Sequence, residues 1–325
     1  MSLALLMPGP VAQPSFGLDG GLVWHAIAAT RAAAVAAARW AGRGDPHGAD
    51  GAATTAMRAV LASAPGRGTV VTGEGAKDRA PMLADGERTG APGGLPFDIA
   101  VDPLECTDLC ARGLPGALST IAIAPAGSLW TPGPAFYMEK VVLPPDARDA
   151  ADITDAPEAV VAQVAEALGR LVGDVRVVVL DKPRHRELVE RLRRAGARVA
   201  VPSAGDVAGA LEVVLPDGDA DVLLGIGGAP EGVLAACAAR ALGGFMQGRL
   251  APQRDDEHRA LEASGAELDA LLSLDDLASE DAVFVATGVT GGLLAAPRHH
   301  HGRVTTETLV IASGTVHRMQ TTTQE

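Results

Sequence analysis

The amino-acid sequence predicts an α/β protein, and three observations carry the prediction. Helical and strand-like stretches alternate beyond Pro157, β-branched runs separate alanine-rich helices before it, and the 325 residues are 47% apolar and 21% charged. Regular alternation with short connections predicts a mostly parallel sheet covered by helices. Length and composition describe a globular chain with room for two domains or for one large core.

At the start, the apolar run Leu3 to Met7 lacks a basic lead-in and is broken up by Pro8, Pro10 and Pro14, so residues 1–20 are expected to form a loose extension. Trp24 to Trp40 is alanine-rich with sparse arginines, a strong helix former ended by Gly42-Arg43-Gly44. Ala52 to Leu61 suits a second helix, which puts Asp50 near its N-terminus, where a carboxylate ordinarily caps. Thr69 to Thr72 is a short strand running into Gly73-Glu74-Gly75, a carboxylate between two glycines that let the backbone approach a ligand. Ile99 to Val101 suits a buried strand, which Pro103 is expected to stop at Asp102. Leu118 to Ala124 and Phe136 to Leu143 read as further strands. The proline- and charge-rich stretch Pro144 to Asp149 is the best boundary between a unit over 21–147 and one over 148–325.

Beyond it, helices over Pro157 to Leu171, His185 to Ala195, Val207 to Leu215 and Glu231 to Leu242 alternate with strands over Val175 to Leu180, Ala197 to Val201 and Val222 to Ile226. Phe245 to Pro252 reads as a turn-rich link and Asp255 to Leu272 as a charged amphipathic helix. Ala282 to Ala286 is a buried strand, and Thr308 to Ala312 with Thr315 to Met319 a final pair. Arg298-His299-His300-His301 is expected to be a solvated loop, since consecutive histidines diverge in direction and no carboxylate accompanies them.

The net charge of -13 and pI near 5.0 argue against a nucleic-acid surface, so no DNA or RNA partner is expected. Cys106, Cys110 and Cys237 are odd in number and lack metal-type spacing, which fits free thiols in a reducing cytoplasm. The alanine-rich helices carry Arg, Glu or Gln at intervals, so no membrane partner is expected.

Chemistry concentrates in the stretch Asp98 to Thr107, where a strand end presents Asp102, Glu105 and Thr107 together. Carboxylate oxygens suit a hard cation such as Mg²⁺ or Mn²⁺, and the hydroxyl suits an activated water. A solvated turn explains the same residues equally well when they are taken alone. In the second half, Lys182, Arg184 and Arg186 follow one strand's C-terminal end, Asp206 the next and Glu231 a third. Ligands of such sheets bind at those ends, and basic residues grouped there suit a phosphate.

These motifs, in this order and spacing, resemble class II fructose-1,6-bisphosphatases. The matching segments are Gly42 to Asp45 with Ala49 to Ala53, Gly73-Glu74-Gly75, Ala80-Pro81-Met82-Leu83, Asp98 to Thr107, Tyr137-Met138-Glu139-Lys140 and Lys182-Pro183-Arg184-His185. They continue through Gly205 to Ala208, Gly225 to Gly232, Gly248-Arg249-Leu250, Ala286-Thr287-Gly288 and Thr305 to Leu309. The resemblance implies a layered α/β/α/β/α sugar phosphatase fold, with an antiparallel sheet in the N-terminal half and a mostly parallel one in the C-terminal half. It implies that Asp50, Glu74, Asp102 and Glu105 bind Mg²⁺ or Mn²⁺ and that Thr107 helps activate the attacking water, so that Thr107, Asp50 and Glu74 are catalytic. It makes Tyr137, Lys182, Arg184, Asp206 and Glu231 substrate-binding, to which Arg186 is added from its place beside Lys182 and Arg184, the substrate a sugar phosphate, and the protein a homodimer or homotetramer.

Four departures from the family pattern bear on the substrate. Pro46 and His47 replace a usual Lys-Asn, and Ala76 and Lys77 follow the Gly-Glu-Gly where an acid is usual. Cys106 replaces a glycine, and Ser203-Ala204 interrupts a usual Pro-Asp-Gly-Asp. Fructose 1,6-bisphosphate is the first expectation. Sedoheptulose 1,7-bisphosphate, a sugar monophosphate of a specialised pathway, and a weakened relative that binds sugar phosphate for regulation remain alternatives.

Overall fold

The computed structural model describes residues 20–73 and 83–324, so the extension expected at the start, Glu74, Ala76 and Lys77 lie outside the described residues. The chain opens with helices α1 (Gly20–Ala38) and α2 (Pro46–Leu61), followed by strands β1 (Arg67–Thr72), β2 (Arg88–Thr89) and β3 (Pro96–Glu105). Short helix α3 (Thr107–Ala111) leads to β4 (Leu118–Pro125) and β5 (Tyr137–Leu143). Then come α4 (Pro157–Ala167), β6 (Arg176–Val178), α5 (Arg186–Arg194), β7 (Arg198–Ala200), α6 (Asp206–Val214), β8 (Val222–Gly228) and α7 (Ala229–Leu242). The chain continues with β9 (Phe245–Leu250), α8 (Asp255–Ser264), β10 (Leu271–Leu272) and α9 (Leu274–Leu277), and closes with β11 (Val283–Gly288), β12 (Arg298–His300), β13 (Arg303–Ala312) and β14 (Thr315–Gln324).

The strands form two mixed sheets. One has eight strands in the order β12-β13-β11-β4-β3-β1-β2, with β14 on β13; the other has six, in the order β10-β9-β5-β8-β6-β7. Alternating side chains sort the molecule into five layers. In the first sheet Ile99, Ile121, Ile123, Val283 and Val285 face α1 and α2, whereas Ala100, Ala122, Phe284 and Ala286 face α6 and α7. In the second, Met138, Val142 and Leu223 face α6 and α7, and Val141, Val177 and Leu224 face α4 and α5. The order is therefore α/β/α/β/α, as the resemblance implies. By length and composition α1 could cross a membrane, but here its alanines Ala26, Ala29, Ala33 and Ala37 are fully buried against α2 and the first sheet.

Several boundaries differ from expectation, each for a local reason. In the second sheet β8 and β9 run in one direction, joined across α7, but β5 inserts antiparallel between them. Parallel pairing is confined to β6 with β7 and β8, so this sheet is mixed rather than mostly parallel. The expected link over 245–252 is strand β9; its Gly248 leaves room for Met138, whose Sδ would lie 2.5 Å from a Cβ there. β5, ahead of the boundary expected at 147, belongs to the second sheet, and β11 to β14 return to the first. Helix α2 begins at Pro46 because Asp45 caps it, accepting from the Gly48 N–H at 2.8 Å. Helices α4 and α8 stop short of expectation, before Gly169 and Gly265, which take positive φ. The histidine run is exposed, as expected of a loop, yet 298–300 pairs with β13 as β12. The Ala286-Thr287-Gly288 and Thr305 to Leu309 motifs supply buried hydroxyls, with Thr287 hydrogen-bonded to Thr30 of α1 and to Thr308 of β13, both at 2.9 Å.

Candidate active site

The site starts from an irregularity in β3. Expectation stopped this strand at Asp102, but it runs on to Glu105, and its pairing with β4 slips between Asp102↔Thr120 and Glu105↔Leu118. Three steps on β3 oppose two on β4, which is a bulge with one extra residue. Pro103 is tolerated because a bulge leaves a ladder position unpaired. Without the extra residue Asp102 and Glu105 would project from opposite faces; with it both share the face of Ala100, toward the layer of α6 and α7. The Asp102 carboxylate also accepts the Leu104 N–H at 3.0 Å, which fixes the bend. Asp98, at the other end of the strand, is structural: it is buried and accepts N–H groups of Gly127, Ser128 and Leu129 at 2.8, 3.0 and 3.2 Å.

Helix starts surround the bulge. Cys106 turns the chain with φ 67° and α3 begins at Thr107; α6 begins at Asp206; α7 carries Glu231 in its first turn. Carboxylate oxygens of Asp102, Glu105 and Glu231 all lie within 4.8 Å of one another. Glu105 is buried, lies beside Asp102 and the start of α6 at Val207, and keeps a buried Oε1 that has no hydrogen-bond partner among the described residues. Burial, then the negative charges of Asp206 and Glu231, push its carboxyl up to about 8. Three buried or half-buried acids with an unsatisfied oxygen fit a hard divalent cation. Helix N-termini opening onto the same space favour an anion beside it.

Glycines of β8 make the room. A Cβ on Gly228 would lie 1.6 Å from Glu231 Oε2, and one on Gly227 would lie 2.0 Å from Asp206 Oδ2. At Gly225, with φ 122°, a Cβ would come within 2.9 Å of His185 Nε2. The ring of His185 is buried; its Nδ1 lies 2.8 Å from the Leu180 carbonyl, and the Ile226 N–H donates to Nε2 at 2.8 Å. That pair of bonds selects the neutral tautomer protonated on Nδ1, and burial pushes the imidazole pKa down.

The residues expected to bind substrate fall into two groups. Arg184 donates to the Ile226 carbonyl at 2.7 and 3.2 Å, and its guanidinium stands 5.1 Å above the Tyr137 ring. Lys182 is half-buried just before the turn that carries Arg184, and Arg186 is exposed as the first residue of α5. Asp206 is buried and ion-paired with Lys140, and Glu231 joins the acid cluster. Asp50, expected at a helix start, lies inside α2, in its second turn, and is not one of the three clustered acids. Loop 42–45 is tied to α3 by Gly42 N–H to Cys110 and Gly44 N–H to Ala111 carbonyls, at 2.9 and 2.8 Å. Two contributors escaped sequence reasoning: Glu231 as a cluster member and Lys140. The adjacent Gly227-Gly228 pair ahead of a helix-start acid was the available signal for the first.

Residues 21–323 match the family model described as bacterial fructose-1,6-bisphosphatase, glpX-encoded. The chain is 41% identical over 308 residues to fructose-1,6-bisphosphatase 1 class 2 of Escherichia coli K12, covering 90% of this chain and 91% of that one. Proteins named fructose-1,6-bisphosphatase class 2 from Escherichia coli O6:H1 and Shigella flexneri are similar to the same extent, 41% over 308 residues. Matches that span nearly the whole chain, together with an acid cluster built from two of the motifs that carry the likeness, lead to one conclusion: the chain belongs to the bacterial, glpX-encoded fructose-1,6-bisphosphatase family.

Proposed function

We propose that this protein hydrolyses fructose 1,6-bisphosphate to fructose 6-phosphate and phosphate. The observation that carries the reading is the group Asp102, Glu105 and Glu231, with oxygens within 4.8 Å, at the bulged end of β3 beside Thr107. Family membership and the names of the relatives support the substrate.

Asp102, Glu105 and Glu231 are the proposed core of the cation site, with Asp50 and Glu74 as further ligands on the strength of their motifs. A Mg²⁺ or Mn²⁺ ion held there would neutralise phosphate charge and lower the pKa of a bound water. Thr107 orients the attacking water through its hydroxyl, and the first N–H groups of α3 face the phosphate. Tyr137 with Arg184, joined by Lys182 and Arg186, holds the second phosphate, and Asp206 accepts from sugar hydroxyls. The three cysteines are free thiols, which supports a cytoplasmic setting. A homodimer or homotetramer rests on the family likeness alone.

The test is phosphate release over a panel including fructose 1,6-bisphosphate, sedoheptulose 1,7-bisphosphate and sugar monophosphates, with chelated protein and with Mg²⁺ or Mn²⁺ restored. Fructose 1,6-bisphosphate should turn over fastest and only with the cation. No release from any of them at roughly micromolar enzyme would overturn the reading, since kcat near 10 per second is ordinary. Thr107→Ala should lower kcat by about 10² to 10⁴-fold with KM changed less than about threefold; an unchanged kcat removes its assigned role.

A further inference from the structure

The motif Tyr137-Met138-Glu139-Lys140 contains a residue the proposed chemistry does not use. Lys140 is 2% exposed on β5, with its side chain on the inner face of the second sheet beside Met138 and Val142. Its ammonium pairs with Asp206 and donates to the Gly228 carbonyl at 2.7 Å. Asp206 is the first residue of α6, and the next residue, Val207, lies beside Glu105. Gly228 immediately precedes α7, whose first turn carries Glu231. One side chain thus joins the starts of the two helices that border the acid cluster. The neighbouring cavity, lined by Lys140, Leu180, His185, Asp206 and Gly227, measures about 10 Å³. That is the space of about one water. A buried charge without its partner is strongly unfavourable, so neither Lys140 nor Asp206 is stable alone in this setting.

We propose that Lys140 is a positioning residue that fixes Asp206 for the sugar. This rests on the sugar-phosphate reading of the site. With Oδ2 of Asp206 tethered to Lys140, Oδ1 keeps one place from which to accept sugar hydroxyls.

The full chain carrying Lys140→Met, Asp206→Asn or both would be compared with the unaltered protein. Fructose 6-phosphate affinity is read by calorimetry, KM and kcat by phosphate release, and Mn²⁺ affinity by titration of chelated protein. Lys140→Met should weaken fructose 6-phosphate binding and raise KM at least tenfold, with kcat within about threefold. Asp206→Asn should do the same, and the double variant should be no worse than the poorer single one, because both act through one contact. Mn²⁺ should bind Lys140→Met at least as tightly as the unaltered protein, since a positive charge has left the vicinity. If Lys140→Met does not fold, the charge-balanced double variant should, with the same tenfold loss of sugar-phosphate affinity. Unaltered KM and fructose 6-phosphate affinity in Lys140→Met, or in the double variant, would overturn the proposal, as would effects that multiply. Failure of the unaltered protein to release phosphate with Mn²⁺ counts against the phosphatase reading instead, and Lys140 is then judged on binding alone.

Discussion

Cys106 holds φ 67°, in the region that costs a residue with a Cβ about 1–2 kcal/mol, and its Sγ lies 3.4 Å from where a Cβ on Gly205 would sit. Cys106→Gly therefore relieves strain while losing a buried contact. These terms are similar in size, so denaturant titration should show a stability change within about 1 kcal/mol. Cys106→Val, branched at Cβ, should destabilise by about 2 kcal/mol or more in the same measurement. Glu105 makes a second residue-level prediction. Its carboxyl is raised from 4.5 to about 8, so the folded, cation-free protein holds a proton that the unfolded chain releases. The contribution of Glu105 to the stability of that form should be full below about pH 4.5, fall as pH rises and level off above about 8. Chemical denaturation across that range, with chelator present, checks the slope. Glu105→Gln should remove it, and a slope of opposite sign would refute the assignment. Asp102, Glu105 and Thr107 were legible as chemistry from their types and spacing. What aimed them was not, because Pro103 reads as a strand stop and only the pairing with Thr120 and Leu118 reveals the bulge.

Among the elements, β8 shows how a glycine-rich strand serves a site. Both backbone groups of its Ile226 are held, Arg184 donating to the carbonyl and His185 accepting from the N–H. His185→Phe should leave that N–H without a partner and cost about 1–3 kcal/mol. The neutral ring also predicts a loss of stability as pH falls below 6.5, because the folded-state pKa is lowered. Gly228→Ala places a methyl group 1.6 Å from Glu231 Oε2. Only the end of a flexible side chain has to move, so the fold should survive while Mn²⁺ affinity drops at least tenfold, near the loss typical of a disturbed ligand shell. Circular dichroism with calorimetry separates the two effects. The alternation of helices and strands was readable from periodicity, and so was the helix that starts near Glu231. The sheet's pairing was not: β5 lies between β8 and β9 through contacts distant in sequence, which no local pattern encodes.

For the whole molecule, the five layers bring together residues far apart in the chain. Asp102 and Glu105 come from the first sheet, Glu231 from the central helix layer, and Tyr137 and Lys140 from the second sheet. The alanine-rich packing of α1 and α7 keeps the layers close, and the site forms where both sheets meet that central layer. A cation bridging these elements should stabilise all of them at once. At a hundredfold excess over Kd the gain is about 2.7 kcal/mol, on the order of 4 °C in thermal midpoint for a chain this long. Thermal melts with chelator and with Mn²⁺ measure it. The central claim is that Glu231 completes a cation site with Asp102 and Glu105 on which phosphate release depends. Its most direct test is Glu231→Gln, assayed for Mn²⁺ affinity by calorimetry and for phosphate release from fructose 1,6-bisphosphate. The account predicts that both fall, affinity at least tenfold and release at least a hundredfold; undiminished Mn²⁺ affinity and release in that variant would contradict it.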